Sequence, residues 1–277
     1  NYFYGLFLIL FFTTGLLADF KLFNSPRLRL TVQILLLICF VYILDIKIPS
    51  TRIEIIDVLF ENKYTNYLFT IFCLTILING SNFVDGINTL LINYYIIVLG
   101  LILFFLKSVN LDYYLITNLF LLLIIILIFN LFGKIILGDS GAYILSLFIG
   151  LTLIELSNDN YFISPYFIIL LIWYPCFELL FSMIRRLVFN LYSYEPDTMH
   201  LHQMILKIIS SNLKIKSNNF NHFLAGSIIN LYNLFILMIS LNYNDKTNIM
   251  LAIIAVNITA YISIYFVLKK KLKPIQN

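Results

Sequence analysis

Long apolar runs separated by short polar breaks fill the whole chain. The run YLFTIFCLTILI ends at Ile78, and INYYIIVLGLILFFL begins at Ile92. Between them lies a knot containing Asn79, Gly80, Ser81, Asn82, Asp85, Gly86 and Asn88. Crossing the hydrocarbon core of a bilayer takes about 20 apolar residues in helical form. On that criterion the pattern predicts nine helical spans, near 3–17, 30–44, 65–80, 89–106, 113–131, 141–157, 162–182, 222–241 and 248–268. The breaks fall near 18–29, 45–64, 79–88, 107–112, 132–140, 158–161, 183–221 and 242–247, followed by a tail. The expected fold is an all-α polytopic transmembrane bundle forming one integral-membrane domain over 1–277.

Composition agrees. Of the 277 residues 61% are hydrophobic and 12% charged, with mean hydropathy +0.94. Soluble domains carry about 25% charged residues. Cys39, Cys73 and Cys176 all sit inside apolar runs, at no metal-ligand spacing and in no disulfide framework. A first residue of Asn1, directly followed by an apolar run, leads to the expectation that N-terminal spans are missing. Consecutive breaks must alternate between the two faces of the bilayer. Lys and Arg then divide 13 to 5 in favour of the face holding the odd-numbered breaks and the tail, which makes that face cytoplasmic. The net charge of +4 is explained by this orientation and gives no reason to invoke nucleic acid. On the opposite face the segment 45–65 is expected to form an extended or hairpin excursion.

The dense polar clusters all fall on the cytoplasmic face. They carry Asp19, Asp85, Asp139 between Gly138 and Gly141, and the trio Asp197, His200 and His202. Each alone has a plain explanation as a helix cap or a solvated loop residue. Together they suit a divalent cation and a phosphate. Mg²⁺ takes oxygen ligands and needs one or two carboxylates plus substrate phosphates, and Asp139 and Ser140 open a helix whose N–H groups favour an anion. Arg185 and Arg186 end a span as orientation charges. Glu178 lies inside that span, near enough to its end to reach water or pair with Arg185.

Four ordered stretches resemble the polyprenyl-phosphate N-acetylhexosamine-1-phosphate transferases of the MraY/WecA type, WecA-like branch. NGSNFVDGIN is similar to the family's N-x-x-N-x-x-DG-x-(D/N)G signature, and GDSGA to its GD-(S/T/A)-G-S element. GLLADFKLFNSPRLRL resembles D-D-x-x-x-x-SP-x-x-RL, and MIRRL with PDTMHLHQMI resembles IRR…PD-x-x-H-(I/L)-HH. The resemblance implies a multi-pass enzyme of the bacterial inner membrane with its active site at the cytoplasmic face. Such an enzyme moves a sugar-1-phosphate from a UDP-N-acetylhexosamine to undecaprenyl or another polyprenyl phosphate and releases UMP. It needs Mg²⁺, with Mn²⁺ as a substitute, works among membrane lipids, and is compatible with a homo-oligomer. By position, the resemblance makes Asp139 the metal ligand and Asp19, Asp85, His200 and His202 catalytic. Asn79, Asn82, Asn88, Arg186 and Asp197 become substrate-binding.

The chain also departs from the family pattern. Ala18 replaces the first aspartate of the pair, Gln203 replaces the last histidine, and Asn88-Thr89 stands for the usual (D/N)G. HLHQ lacks the three-histidine run of the peptidoglycan-precursor branch, which points toward GlcNAc or a related amino sugar. Two other readings compete: a polytopic transporter, and a catalytically inactive homologue suggested by Ala18. A transporter places its charges near the midplane, whereas the acids here gather at one surface.

Overall fold

The computed structural model describes residues 2–105, 113–188, 199–212 and 217–272, and every regular element among them is a helix. In chain order these are α1 (Tyr2–Asp19), α2 (Pro26–Leu44), α3 (Glu54–Phe60), α4 (Lys63–Val84), α5 (Leu90–Phe105) and α6 (Tyr113–Leu131). There follow α7 (Gly138–Asp159), α8 (Pro165–Leu171), α9 (Trp173–Val188), α10 (Leu201–Asn212), α11 (Asn218–Leu241) and α12 (Thr247–Leu272). Seven of them are long and apolar enough to cross a membrane; α8 and α9, bent by 80°, pass the same test only as a pair, and α5 is a shorter apolar helix. The expected polytopic bundle is what the chain forms.

Helix α7 is the centre. Ala142, Leu145, Ile149, Leu153 and Leu156 recur every three or four residues and join the core built with α5, α8, α9, α11 and α12. Tyr143, Leu147 and Leu151, on another stripe of the same helix, join a second core with residues of α1, α2 and α4, and α7 packs directly on α1 and α4. The outward residues, such as Ile125, Leu231, Phe235, Val256 and Phe266, are exposed and suit lipid. Lipid tails are as apolar as leucine, so close fit rather than water exclusion holds such helices together. At Gly15 a Cβ would lie 2.3 Å from the Ser140 Cα, so the α1 backbone rests directly on the start of α7.

The single span expected over 162–182 is broken. α8 and α9 meet at 80° around Ile172. Pro175 has no N–H to donate to the carbonyl of Leu171, four residues earlier. Tyr94 fills the gap: its hydroxyl donates to Leu171 O (2.9 Å) and accepts from the Tyr174 N–H (3.3 Å). A break at membrane depth survives when its released backbone groups find such partners.

The polar knot is smaller than its sequence suggests. Helix α4 continues through Asn79–Asn82 and ends at Val84, so the break begins at Asp85 rather than at Asn79. The helical polar residues are satisfied locally. Asn79 Nδ2 donates to Thr75 O (2.9 Å) and to Gln33 Oε1 of α2 (2.9 Å), and the Ser81 hydroxyl donates to Leu77 O (2.6 Å).

At the opposite end, the 45–65 segment folds as a loop and the short helix α3, with no hairpin. Asp57 accepts from Ser50 Oγ (2.6 Å) and from the Thr51 N–H (2.6 Å), which closes the loop. Arg52 then donates to Tyr161 O (2.6 Å), Asp245 O (2.9 Å) and Thr247 Oγ1 (2.9 Å). One side chain thus ties together the breaks near 45–64, 158–161 and 242–247. The described breaks alternate between two ends as expected; 107–112 lies outside the described residues.

Candidate active site

Three helices deliver one aspartate each to a single turn. Asp19, the last residue of α1, accepts the Asp139 N–H at Oδ1 (2.9 Å) and the Ser140 N–H at Oδ2 (3.1 Å). Asp85, just past α4, accepts the Gly138 N–H at Oδ2 (3.2 Å). The first N–H groups of α7 are therefore taken by carboxylates of the same chain. The expectation that they are open to an anionic ligand is corrected here: a helix start favours negative charge, and Asp19 and Asp85 supply it. Gly138 makes this approach feasible. It has φ +67°, and a Cβ there would meet both Asp19 carboxylate oxygens at 3.0 Å.

Asp139 is not a cap. Its Oδ2 pairs with Arg29 Nη1 (2.6 Å) and accepts from the Tyr143 hydroxyl (3.2 Å). Arg29 sits on the first turn of α2, which begins at Pro26 behind Ser25, whose hydroxyl accepts the Leu28 N–H (3.4 Å). The SP pair of the sequence is thus a helix start, with a capping serine and a proline at the position where no N–H is needed. In the sequence Arg29 counts as an orientation charge and as the arginine of the SP-x-x-RL stretch, with no sign that it would reach Asp139. Burial pushes the Asp85 carboxyl up to about 8, partly offset by its Gly138 hydrogen bond and reinforced by the charges of Asp139 and Asp19.

The knot beyond Asp85 is braced from behind. Thr89 has φ +71°, a left-handed conformation unusual for a β-branched residue. This is the position where the family signature carries glycine. The Thr89 N–H donates to Asn130 Oδ1 (2.5 Å), and Asn130 Nδ2 donates to Ile135 O (2.7 Å), joining the knot to the segment before α7. The Asn88 N–H donates to His222 Nδ1 of α11 (3.3 Å). Asn79 and Asn82 are half-buried on the last turns of α4, with the Asn79 amide committed to α2 as described.

The histidine motif reaches the same end. His200 precedes α10 and His202 lies on its first turn, with their rings stacked at 5.4 Å and 10°. His200 meets the edge of Phe83 at the end of α4 (5.0 Å). A Cβ at Gly86 would lie 3.6 Å from His202 Nε2, so the motif packs directly on the turn after Asp85. Both histidines are buried, at 4% and 0% exposure. The partner of His200 is Glu178, which is 1% exposed: Oε1 lies 3.2 Å from His200 Nδ1 and accepts the Leu201 N–H (3.0 Å), while Oε2 is 4.0 Å from His202 Nδ1. Its position near the span end suggested that Glu178 reaches water or pairs with Arg185; it is buried away from water, on His200 and the start of α10. Its rarity inside an apolar run was the signal for it. Arg185 is buried, with its guanidinium on Ser182 Oγ (3.3 Å) and over the Tyr265 ring, instead of serving as a surface charge. Arg186 is half-buried on the last turn of α9. Asp197 lies outside the described residues.

Among the described residues no three His, Cys, Asp or Glu side chains gather as a metal-binding group. Mg²⁺ needs no such group where substrate phosphates complete its shell. Asp85, raised chiefly by burial and further by the charges of Asp139 and Asp19, stands at the same turn as Asp139, and a divalent cation there would favour both ionised carboxylates. The carboxylates present fit such an ion.

The helical bundle with this polar end is that of a multi-pass membrane protein. The model for Glycosyl transferase family 4 matches residues 2–157, more than half of the chain, and the chain belongs to that family. It is a membrane transferase of the polyprenyl-phosphate sugar-phosphate kind in general. The matched region includes Asp19, Asp85 and Asp139 and stops before the histidine motif. No curated protein matches the chain.

Proposed function

We propose that this chain transfers N-acetylhexosamine-1-phosphate from a UDP-N-acetylhexosamine to a polyprenyl phosphate and releases UMP, starting a surface polysaccharide or cell-wall glycan. The observation that carries this reading is the convergence of Asp19, Asp85 and Asp139 on the Gly138–Ser140 turn, with the histidine motif packed against Gly86. An oxygen of the lipid phosphate attacks the sugar-bearing phosphorus, and the bond from that phosphorus to the bridging oxygen breaks as UMP leaves. The second pKa of a phosphate monoester is about 6, so the acceptor is mostly ionised at neutral pH. No strong base is then needed, which accommodates Ala18. Asp19 acts by holding the turn that presents Asp139. Asp85 and Asp139 would hold Mg²⁺, which when bound supplies charge neutralisation at the diphosphate. Arg186, Asn82 and Asn88 face the donor, and His200 and His202 serve the phosphates. The excess of Lys and Arg supports a cytoplasmic orientation of this end, the side where the nucleotide sugar is found, and the reading assigns the chain to a bacterial inner membrane.

The test is purified protein with radiolabelled UDP-sugars, undecaprenyl phosphate and Mg²⁺. Label entering the lipid fraction with stoichiometric UMP supports the reading. No transfer with any UDP-N-acetylhexosamine would overturn it and return the chain to the inactive-homologue reading suggested by Ala18.

A further inference from the structure

Glu178 is a carboxylate placed inside the bundle, and burying one is costly unless its oxygens are fully engaged. Its partners come from two other helices. Besides His200 and the Leu201 N–H on Oε1, Oε2 accepts the hydroxyl of Tyr261 from α12 (2.9 Å) and lies 4.0 Å from His202 Nδ1. The charge also sits at the N-terminus of α10, where the helix dipole favours it. So a single group on α9 engages both the first N–H of α10 and the His200 ring before it, against which the His202 ring is stacked. A carboxylate on Nδ1 selects the Nδ1–H tautomer, holds the ring plane and raises the basicity of the remote nitrogen. The other face of this arrangement is Phe83, two residues before Asp85.

We propose that Glu178 is a positioning residue for transfer, fixing the Nδ1–H tautomer of His200 and the orientation of the stacked His200–His202 pair against the Asp85 turn, with Tyr261 as its brace. The proposal rests on the transferase reading for its kinetic consequence, while the tautomer and orientation stand independently of it.

The chain has three histidines, so ¹⁵N-histidine NMR of the protein in detergent resolves each ring, with His200 assigned by its loss in His200→Ala. The expected wild-type signal for His200 is the Nδ1–H tautomer. Glu178→Leu should abolish that preference, whereas Glu178→Gln, which keeps an acceptor oxygen, should largely retain it. In the transfer assay Glu178→Leu should lower kcat about 10–100-fold, the range for losing such a supporting partner, with KM for the UDP-sugar changed less than about twofold. In a His200→Ala background the same substitution should cost little more, because the two act as one unit. If Glu178→Leu is too unstable to purify, Tyr261→Phe replaces it, with a smaller loss of the tautomer preference expected. An unchanged His200 signal in Glu178→Leu (or in Tyr261→Phe where that replaces it), or full additivity with His200→Ala, would overturn the proposal. Correct tautomer shifts in a protein with no transferase activity would support the positioning and refute only the function on which its kinetics rest.

Discussion

Tyr94→Phe removes one oxygen from the bundle and should unsettle the α8–α9 bend. The Tyr94 side chain is 1% exposed, and its hydroxyl serves Leu171 O at 2.9 Å and the Tyr174 N–H at 3.3 Å. Phenylalanine leaves the ring packing among Tyr95 and Tyr174 in place but orphans both backbone groups. A buried polar group left unsatisfied costs about 1–3 kcal/mol. The 3.3 Å contact is the weaker of the two, so the sum is about 2–4 kcal/mol, at the low end for Tyr174. For a chain of this size that corresponds to a melting shift of about 4–8 °C. The assay is thermal unfolding of the purified protein in mild detergent, alongside transfer activity at a temperature well below melting. Activity should fall as well, because the bend aims α9 and therefore Glu178 at the histidine motif. A Tyr94→Phe protein melting within about 1 °C of wild type would refute the reasoning, since two orphaned groups cannot cost less than about 1 kcal/mol.

Four further outcomes follow from the site. Asp19→Ala leaves the Asp139 and Ser140 N–H groups to water at an exposed position, so it should destabilise by about 1–2 kcal/mol and lower transfer by releasing the Gly138–Ser140 turn; unchanged melting would refute the cap. Asp139→Asn loses a half-exposed ion pair with Arg29, worth less than about 1 kcal/mol, so it should fold normally yet lose about 10²–10³ in transfer rate; near-normal turnover at low Mg²⁺ would exclude the metal role. Asp85, raised to about 8, favours the fold at low pH, and that contribution is lost as pH rises through the folded value; Asp85→Asn should therefore flatten the fall in melting temperature between pH 5 and 8, and an identical pH profile would count against the shift. Thr89→Gly removes a left-handed β-branched residue whose conformation costs about 1–2 kcal/mol, so it should raise stability by up to about 1 kcal/mol after the flexibility of glycine is set against it, as read by the same melting assay.

The membrane fold was legible because it depends on counts and periods along one dimension. Span lengths, the breaks between them and their alternation follow from apolar runs, and they survive in α1, α2, α4, α6, α7, α11 and α12 with ends moved by a few residues. The ordered motifs were equally legible, since each is a local string: the SP pair really is the start of α2, and Asp19, Asp85 and Asp139 do meet. What only the tertiary structure decided is who answers whom. The N–H groups opening α7 could have awaited a ligand, yet they are held by Asp19 and Asp85, because α1 and α4 end at the level where α7 begins. Arg29 could have been a surface charge and is the partner of Asp139. The break in the 162–182 span needed Pro175 and also Tyr94, 77 residues from Leu171, to satisfy the carbonyl the proline releases. Glu178 could have reached water; it became the centre of a buried cluster because α10 and α12 close over it. Local pattern sets which segments enter the membrane, since transfer into lipid depends on each segment alone. Pairings across the bundle depend on which helices pack together, and a buried charge takes its role from the partners that packing brings.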